Sequence, residues 1–393
     1  MELYAKTVQA RFIELFRQEP MLVRAPGRIN LIGEHTDYND GFVMPAAIDK
    51  VVIVAIAPSP EATSTIHSVK YNESISIDIP NLDRVKTPAW ANYLLGVLFQ
   101  IHKDGHNIKP FQCVFGGDIP LGAGMSSSAA LECGFAYAIN ELNRLDIPKK
   151  RLIEIAQWAE HHYAGVKCGI MDQFASVMGK KDHALVLDCR SLAYRYVPVP
   201  LNDHDIILCD TRVKHALVDS AYNTRRQECE TGVGVLKKYF PNIKSLRDVS
   251  EEMVNMHKAE FPGKVYDRCL YVVQEIKRVV AASVDLEKGD LQAFGKKMYE
   301  THVGLSQLYD VSCAELDFLV NESRKIDAVL GARMMGGGFG GCTINIVRKK
   351  EAELFIKLLQ NAYRQKFSKD MPAYRVKIRA GAGVMSQADV SVL

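Results

Sequence analysis

The sequence lacks the features that mark secreted, membrane-spanning or nucleic-acid-binding chains. Its nine cysteines are odd in number, scattered, and include no Cys-x-x-Cys pair, which argues against a disulfide framework and a structural zinc site. No apolar run approaches the roughly 20 residues that cross a bilayer, and the N-terminus reads as an amphipathic helix, not a signal peptide. The 49 Lys and Arg nearly balance the 46 Asp and Glu, without a basic stripe. We expect a cytoplasmic protein with no nucleic-acid, membrane or obligate protein partner.

The sequence also lacks the two commonest nucleotide-binding motifs. No Walker motif, Gly-x-x-x-x-Gly-Lys-Ser/Thr, occurs in it, and the glycines at 122 and 124 lack the third glycine of the dinucleotide fingerprint. A different glycine- and serine-rich stretch, residues 116–132, follows an apolar strand and leads into a helix with apolar residues at helical spacing. This stretch predicts a strand-to-helix turn without the Walker lysine.

The strand-to-helix turn has the chemistry of an anion site. Gly122 and Gly124 remove the Cβ atoms that would keep a ligand from the backbone, and the helix start offers unpaired N–H donors. Three consecutive hydroxyls, Ser126, Ser127 and Ser128, can contact phosphate oxygens or an accompanying hard cation. Serine capping of the helix after a tight turn is the alternative, and we favour phosphate binding.

The stretch 28–41 combines apolar anchors with a dense set of polar side chains. Glu34, His35 and Asp37 lie within four residues and can form several hydrogen bonds with a polyhydroxylated ligand. An Asx-type turn with ordinary surface polarity is the alternative. Taken alone, His35 is better interpreted as a structural histidine than as a base.

Two further stretches carry candidate chemistry. Asp172 falls in the first turn of a short helix predicted over 170–178, where the helix dipole favours an ionised carboxylate. The alternative is an aspartate with only that helix-start role. Residues 336–341 contain five glycines in six positions and precede a strand predicted over 343–347. Such a loop indicates that its backbone closely approaches a ligand or a neighbouring domain.

The pattern of helices and strands predicts an α+β protein of two domains. A length of 393 residues exceeds the usual size of one domain, and we interpret the proline-containing stretch 197–202 as a linker. One domain is therefore expected over residues 1–200 and a second over 201–393. The expected elements include a strand over 21–25 that Pro26 and Gly27 end, a helix over 149–163 and a helix over 313–329.

With its motifs in this order, the chain resembles the GHMP kinase superfamily and, within it, the galactokinases. The motifs are the polar stretch at 28–38, a phosphate loop at 120–130 with Met125 where leucine is usual, and the glycine-rich loop at 335–341. The resemblance covers the whole chain. It implies a two-domain GHMP kinase fold, with a mixed-sheet N-terminal domain, an α/β-sandwich C-terminal domain and the active site in the cleft between them.

The resemblance also implies a reaction. This is the ATP-dependent phosphorylation of the C1 hydroxyl of D-galactose to galactose 1-phosphate, the first step of the Leloir route, with Mg²⁺ as cofactor. Asp172 would be the base or orienter, and Arg28 would keep it ionised and stabilise developing negative charge. The implied contacts are Glu34, His35, Thr36, Asp37 and Tyr222 for the sugar, Gly122, Ala123, Gly124, Met125, Ser126, Ser127 and Ser128 for ATP, and Ser128 and Glu160 for magnesium. One departure is Lys167, where galactokinases usually carry asparagine.

Two other functions share these motifs. A sister kinase would act on N-acetylgalactosamine, another sugar or an isoprenoid alcohol, although the polar set at 34–37 disfavours the isoprenoid. A non-catalytic sensor of galactose and ATP resembles galactokinases but lacks the Ser-Ala pair of the phosphate loop. That pair is intact here as Ser128 and Ala129, so the enzyme is favoured.

Overall fold

The computed structural model describes residues 2–120, 122–213 and 218–386, which form three β-sheets and their surrounding helices; Leu121 of the phosphate loop lies outside these ranges. The helices are α1 (Glu2–Phe16), α2 (Ala91–Lys103), α3 (Ser127–Asn143), α4 (Lys149–Ala159), α5 (Met171–Met178), α6 (Val218–Lys237), α7 (Glu251–Met256), α8 (Val265–Glu287), α9 (Leu291–Val303), α10 (Ala314–Arg324) and α11 (Ala352–Phe367). The strands are β1 (Met21–Asn30), β2 (Phe42–Val43), β3 (Pro45–Pro58), β4 (Ser64–Ser68), β5 (Glu73–Ile77), β6 (Phe111–Gly117), β7 (His183–Asp188), β8 (Tyr194–Pro198), β9 (His204–Asp210), β10 (Val329–Met334), β11 (Cys342–Arg348), β12 (Ala373–Val376) and β13 (Gly383–Val384). Two π-helical turns lie at Glu160–Ala164 and Gly304–Leu308. No helix within the described ranges is both long and apolar enough to cross a membrane.

The first sheet has six strands in the order β13-β1-β3-β6-β4-β5. It is mixed, because β4 and β6 are parallel whereas the other neighbours are antiparallel. The central strand β3 is apolar almost throughout, as expected for a strand buried on both faces. Val8 and Phe12 of α1 cover one face, and α3 covers the other with α2 packed beside it. The mixed sheet predicted for the N-terminal half is confirmed.

The second large sheet has four antiparallel strands in the order β10-β11-β9-β12. On one face, Leu319 of α10 and Phe355 of α11 pack with Ile207 of β9. On the other face, Leu208 of β9 joins the core that contains Phe294 of α9. Helices on both faces agree with the sandwich expected for the C-terminal half.

Strand β1 does not end at Pro26 and Gly27 as predicted. It continues to Asn30 through an irregularity in its pairing with β3 between Pro26 and Arg28. A Cβ added to Gly27 would lie 2.7 Å from the carbonyl oxygen of Met125. The same carbonyl accepts a hydrogen bond from the N–H of Arg28 at 3.2 Å. The glycine therefore marks a bulge that brings the phosphate loop against Arg28.

Two strands include residues that the sequence pattern predicted to be a linker or a helix. Strand β8 ends at Pro198, inside the stretch interpreted as a linker, because it pairs with β7 and buries Val197. Strand β10 begins at Val329, so the helix expected over 313–329 ends earlier, at Arg324. The division at residue 200 remains a prediction, and β13, near the end of the described chain, pairs with β1 of the first sheet.

Candidate active site

Most of the predicted sugar-binding and catalytic residues surround one cavity of about 230 Å³. The loop after β1, the first turn of α5, the start of α6 and the glycine-rich loop all contribute to its walls. Both halves of the chain therefore supply the lining, which includes Arg28, Glu34, His35, Asp37, Glu160, Lys167, Asp172, Tyr222, Gly336 and Gly337.

Arg28 and Asp172 form a two-point ion pair in the wall of this cavity. Nε of Arg28 lies 2.7 Å from Oδ1 of Asp172, and Nη2 lies 2.8 Å from Oδ2. Nη1 of Arg28 donates to the carbonyl of Gly124, and the hydroxyl of Ser126 donates to Oδ2 of Asp172. Although burial opposes the charged form, the Asp172 carboxylate holds the pKa of Arg28 above its ordinary value. The two side chains thus meet as predicted, and both touch the phosphate loop.

Asp37 is a half-buried carboxylate that faces the same cavity. Burial, together with the neighbouring charge of Asp172, raises the pKa of Asp37 from 3.8 to about 7. Gly169 lies against it, and a Cβ at that position would overlap the Asp37 carboxylate. Asp37 therefore titrates near neutral pH and offers a ligand either an acceptor or a donor.

Glu34 is held by residues from both halves of the chain. Its Oε1 accepts hydrogen bonds from Nη1 of Arg333 at 3.1 Å and from the N–H of Gly336 at 2.8 Å. Its Oε2 accepts from Nδ2 of Asn30 at 3.0 Å. Arg333, on β10, is 0% exposed and also donates to the carbonyl of Leu31. Sequence reasoning missed Arg333, whose one signal is a basic residue in an apolar strand directly before the glycine-rich loop.

His35 is engaged at both ring nitrogens. Nδ1 lies 2.8 Å from the hydroxyl of Tyr38, and Nε2 lies 3.2 Å from the carbonyl of Gly337, which assigns the proton to Nε2. The Tyr38 hydroxyl is in turn 2.8 Å from that of Tyr309, whose ring centre lies 4.8 Å from the His35 ring centre. Burial lowers the pKa of His35 to about 4. His35 is therefore neutral and orients its neighbours, and its nitrogens are occupied by protein groups.

Thr36 and Tyr222 differ in their relation to the cavity. The buried Thr36 hydroxyl lies 2.9 Å from the carbonyl oxygen of Gly33 and 2.6 Å from that of Phe42. Thr36 is not among the described residues that line the cavity, so the geometry gives no support to its predicted sugar contact. Tyr222 does line the cavity, with its ring centre 5.5 Å from that of His35.

The phosphate loop turns on two left-handed glycines before α3 begins. Gly122 and Gly124 have φ angles of 76° and 72°, a region that favours glycine. The side chains of Ala123 and Met125 are buried and anchor the loop. Because the first N–H groups of a helix have no partner within it, those at the start of α3 are available to a ligand.

A second cavity, of about 540 Å³, adjoins this loop. Its lining is mainly apolar and aromatic and includes Tyr4, Val52, Val69, Tyr71, Trp90, Tyr93, Phe115 and Leu131, with Ser127 and Ser128 among the polar groups. Nε1 of Trp90 donates to Glu73 at 3.1 Å, which fixes the indole ring. Sequence reasoning missed this cavity because its lining comes from elements that are distant along the chain.

The two residues predicted to contact magnesium lie next to each other. Oγ of Ser128 donates to Oε1 of Glu160 at 2.9 Å, and Oε2 of Glu160 accepts from Nε2 of Gln173 at 2.6 Å. Glu160 begins the π-helical turn that replaces the last part of the helix expected over 149–163. Burial and the charge of Asp172 raise the pKa of Glu160.

These oxygens fit a hard cation that arrives with phosphates. Mg²⁺ is usually held by one or two carboxylates together with waters and substrate phosphates, not by a complete protein cage. Within the described parts of the chain, no group of three or more His, Cys, Asp or Glu side chains could hold a metal ion. The adjacent oxygens of Ser128 and Glu160 are the kind of partial donor set to which phosphates and waters add the remaining ligands of Mg²⁺.

Comparison with known sequences agrees with this geometry. The galactokinase galactose-binding signature matches residues 10–58, and the GHMP kinase N-terminal and C-terminal domains match residues 92–180 and 282–365. A galactokinase of Roseiflexus sp. (strain RS-1) is 40% identical over 383 residues, which cover 97% of this chain and 97% of that protein. A galactokinase of Thermotoga maritima is 41% identical over 362 residues, which cover 92% of this chain and 99% of that protein.

Solved structures lead to the same assignment. The crystal structure of Lactococcus lactis galactokinase complexed with galactose matches with a TM-score of 0.92 and 32% identity, covering 97% of this chain and 99% of that one. The Methanococcus jannaschii mevalonate kinase shares the fold, with a TM-score of 0.64 and 17% identity over 92% of this chain and 99% of that one. The chain therefore belongs to the galactokinase family of the GHMP kinases.

Proposed function

We propose that the chain transfers the γ-phosphoryl group of ATP to the C1 hydroxyl of D-galactose and releases galactose 1-phosphate and ADP. The observation that carries this proposal is the ion pair of Arg28 and Asp172, which lines the cavity beside the sugar motif and also contacts the phosphate loop at Gly124 and Ser126. A carboxylate between an alcohol site and a phosphate site has the position of a base in phosphoryl transfer. The galactose bound by the Lactococcus lactis relative supports the choice of sugar.

Groups that the fold already orients bind the sugar hydroxyls. Glu34 and Asp37 offer carboxylate oxygens to the cavity, and Tyr222 offers an aromatic face. His35 acts indirectly, by fixing Tyr38 and the backbone of the glycine-rich loop. Thr36 is left out of the proposed contacts because its hydroxyl is occupied by backbone carbonyls. Together these groups turn the C1 hydroxyl toward Asp172.

Asp172 accepts the proton of the C1 hydroxyl while that oxygen forms a bond to the γ-phosphorus. The bond from the γ-phosphorus to the bridging oxygen breaks, and ADP leaves with the electron pair. Arg28 orients both oxygens of the carboxylate and places a positive charge beside the developing negative charge. Because the transition state is loose, orientation and electrostatics contribute together with deprotonation.

ATP lies along the phosphate loop. The loop backbone and the start of α3 bind the phosphates, and the aromatic cavity that contains Trp90 and Tyr71 takes the adenine ring. Ser128, in this cavity, is hydrogen-bonded to Glu160, which lines the sugar cavity. Mg²⁺ held at these two residues would neutralise phosphate charge. The contact between the two side chains thus links the nucleotide site to the sugar site.

We also place the protein in the cytoplasm. All nine cysteines of the chain are free, and most are buried, as is usual in a reducing compartment. Cell fractionation with immunodetection tests this location. Recovery of the protein outside the cytoplasmic fraction would contradict it.

The reaction is tested by ADP release from the purified protein with Mg-ATP and, in parallel, D-galactose, D-glucose, N-acetylgalactosamine or mevalonate. We expect turnover with galactose and a product whose phosphorus signal couples to the anomeric proton in nuclear magnetic resonance spectra. Turnover on another alcohol alone would overturn the sugar assignment. Galactose binding without turnover would indicate a non-catalytic sensor.

A further inference from the structure

The sugar cavity is lined by more acidic than basic side chains. Its charged lining residues are four carboxylates and two cations, namely Glu34, Asp37, Glu160, Asp172, Arg28 and Lys167. Arg28 is committed to Asp172 through two of its nitrogens. Lys167 is the cation of this lining that has no carboxylate partner among the described residues. ATP brings further negative charge to the same place.

Lys167 lies in the loop between the π-helical turn that begins at Glu160 and helix α5. Its side chain is exposed, lines the cavity and makes no hydrogen bond or ion pair with the described residues. The next residue, Cys168, is held in place, because its carbonyl lies 2.7 Å from Nε2 of His161 and its Sγ donates to Glu160 at 3.3 Å. The backbone beside Lys167 is thus fixed, while the ammonium group is free to reach a ligand.

We propose that Lys167 is a further catalytic residue, whose ammonium group contacts the phosphoryl group during transfer and the phosphate of the sugar 1-phosphate product. This inference rests on the proposed function of the same site. The reacting phosphorus must lie between the magnesium contact at Glu160 and the base Asp172, and Lys167 is on the loop that joins the two. An ammonium group at this point faces the oxygens that carry the charge of the transferred group.

The charge of the ligand distinguishes whether Lys167 contacts the phosphoryl group or the sugar. A hexose is neutral and gives an ammonium group no opposite charge, whereas a phosphate monoester gives it several charged acceptors. The phosphate loop, residues 122–128, contains no lysine or arginine of its own. Lys167 therefore supplies, from the sugar side, the positive charge that the loop lacks.

The experiment compares three variants with the wild-type protein. Lys167→Gln removes the charge at similar length, Lys167→Arg keeps it, and Lys109→Gln removes the charge of another exposed loop lysine that has no ion pair among the described residues. Steady-state kinetics give kcat/KM for galactose at saturating Mg-ATP. Calorimetry gives the affinities for galactose and for galactose 1-phosphate at low and high salt.

For Lys167→Gln we expect kcat/KM and the affinity for galactose 1-phosphate to fall about tenfold each, the size of one charge-assisted hydrogen bond. Galactose affinity should not change, and the loss should shrink at high salt because the side chain is exposed. Lys167→Arg should retain most of both values, and Lys109→Gln should match the wild type.

Two results would overturn the role of Lys167. One is a wild-type rate and wild-type sugar-phosphate affinity in Lys167→Gln. The other is an equal loss of affinity for galactose and for galactose 1-phosphate, which would indicate a disturbed sugar loop and not a lost phosphate contact. A wild-type protein that does not turn over galactose would instead contradict the proposed reaction, and the calorimetric comparison would still decide whether Lys167 binds the phosphate.

Discussion

The four carboxylates that line the sugar cavity differ in their electrostatic surroundings. Asp172 is paired with Arg28, and Glu34 is paired with the buried Arg333. Asp37 forms no ion pair with a described residue, and burial together with the charge of Asp172 favours its neutral form. At the residue scale, the fold thus keeps two of the four carboxylates beside cations and leaves Asp37 able to change its charge near neutral pH.

We expect the affinity for galactose to increase as the pH rises from about 6 to about 8. Asp37 has a pKa of about 7, and its ionised form accepts hydrogen bonds from sugar hydroxyls. For one group with this pKa, the dissociation constant should fall about tenfold over that interval. Calorimetric titration with D-galactose at several pH values measures the change.

Asp37→Asn is the control, because an amide does not titrate in this range. The variant should bind galactose more weakly and with a flat pH profile. The raised pKa of Asp37 also contributes stability that is present below its ordinary value of 3.8 and is lost as the pH rises through about 7. Between these two pKa values, the free energy of unfolding of ligand-free Asp37→Asn should therefore depend less on pH than that of the wild type. If the galactose affinity of the wild-type protein did not change with pH, this result would argue against Asp37 as a sugar ligand.

At the scale of elements, two irregular connections position the charged side chains of Arg28 and Asp37. The bulge in β1 turns Arg28 toward the phosphate loop. There, the backbone N–H of Arg28 donates a hydrogen bond to the carbonyl of Met125. The loop from 165 to 169 leads from the π-helical turn into α5 and brings Gly169 against Asp37. Neither connection is a regular element, yet each determines where one charged side chain lies.

Gly169→Ala should raise the KM for galactose by about tenfold or more, because the new Cβ would overlap the Asp37 carboxylate and force one of them to move. Overall stability should change less than sugar binding, since the loop is partly exposed. Steady-state kinetics with varied galactose and thermal unfolding measure the two effects. Gly234→Ala is the matched control, because a Cβ at Gly234 meets no atom within 4 Å. A wild-type KM for galactose in Gly169→Ala would show that the position of the Asp37 carboxylate does not depend on its close contact with Gly169.

The elements that the sequence predicted well have local signals. Helix α5 (Met171–Met178) and helix α11 (Ala352–Phe367) follow apolar spacing closely. Strand β10 was missed because its apolar run continues the pattern of the preceding helix, and β8 was missed because its prolines suggested a linker. In each case, pairing with the strand adjacent along the chain decided the conformation: β10 pairs with β11, and β8 pairs with β7.

At the scale of the whole molecule, hydrogen bonds between the two halves support the sugar motif. Arg333 of β10 pairs with Glu34, and Gly337 of the glycine-rich loop accepts a hydrogen bond from His35. Strand β13 also returns from the end of the described chain to β1. The sugar motif therefore has its observed geometry only when both halves are folded together.

Arg333→Met should destabilise the protein by about 3–5 kcal/mol, because it leaves the carboxylate of Glu34 buried without its cation. Chemical denaturation followed by far-ultraviolet circular dichroism measures the free energy of unfolding. Combining this change with Glu34→Gln should recover much of the stability but not the affinity for galactose. Arg364→Met, which breaks an exposed ion pair with Asp370, should cost less than about 1 kcal/mol. Equal losses for the two arginine variants would contradict the structural role of Arg333.

The sequence alone predicted the side chains that stand in motifs, and the structure brings Arg28, Glu34, Asp37, Asp172 and Tyr222 to one cavity. The sequence did not predict the role of Arg333, the aromatic cavity beside the phosphate loop, or the hydrogen bonds that occupy the hydroxyl of Thr36. Each of these depends on contacts between segments that are distant in sequence or on the direction of one side chain. The spacing of residue types along the chain predicts neither long-range contacts nor the direction of a single side chain.

In the proposed mechanism, Asp172 takes part in transferring a phosphoryl group to galactose. The most direct measurement is the single-turnover rate of galactose 1-phosphate formation by Asp172→Asn and by the wild-type protein, with galactose affinity measured on the same samples by calorimetry. We predict that the variant binds galactose with similar affinity but forms product at least about 100-fold more slowly, the loss expected for removal of a general base. A folded Asp172→Asn protein that forms product at the wild-type rate would contradict the assignment of Asp172 and the mechanism built on it.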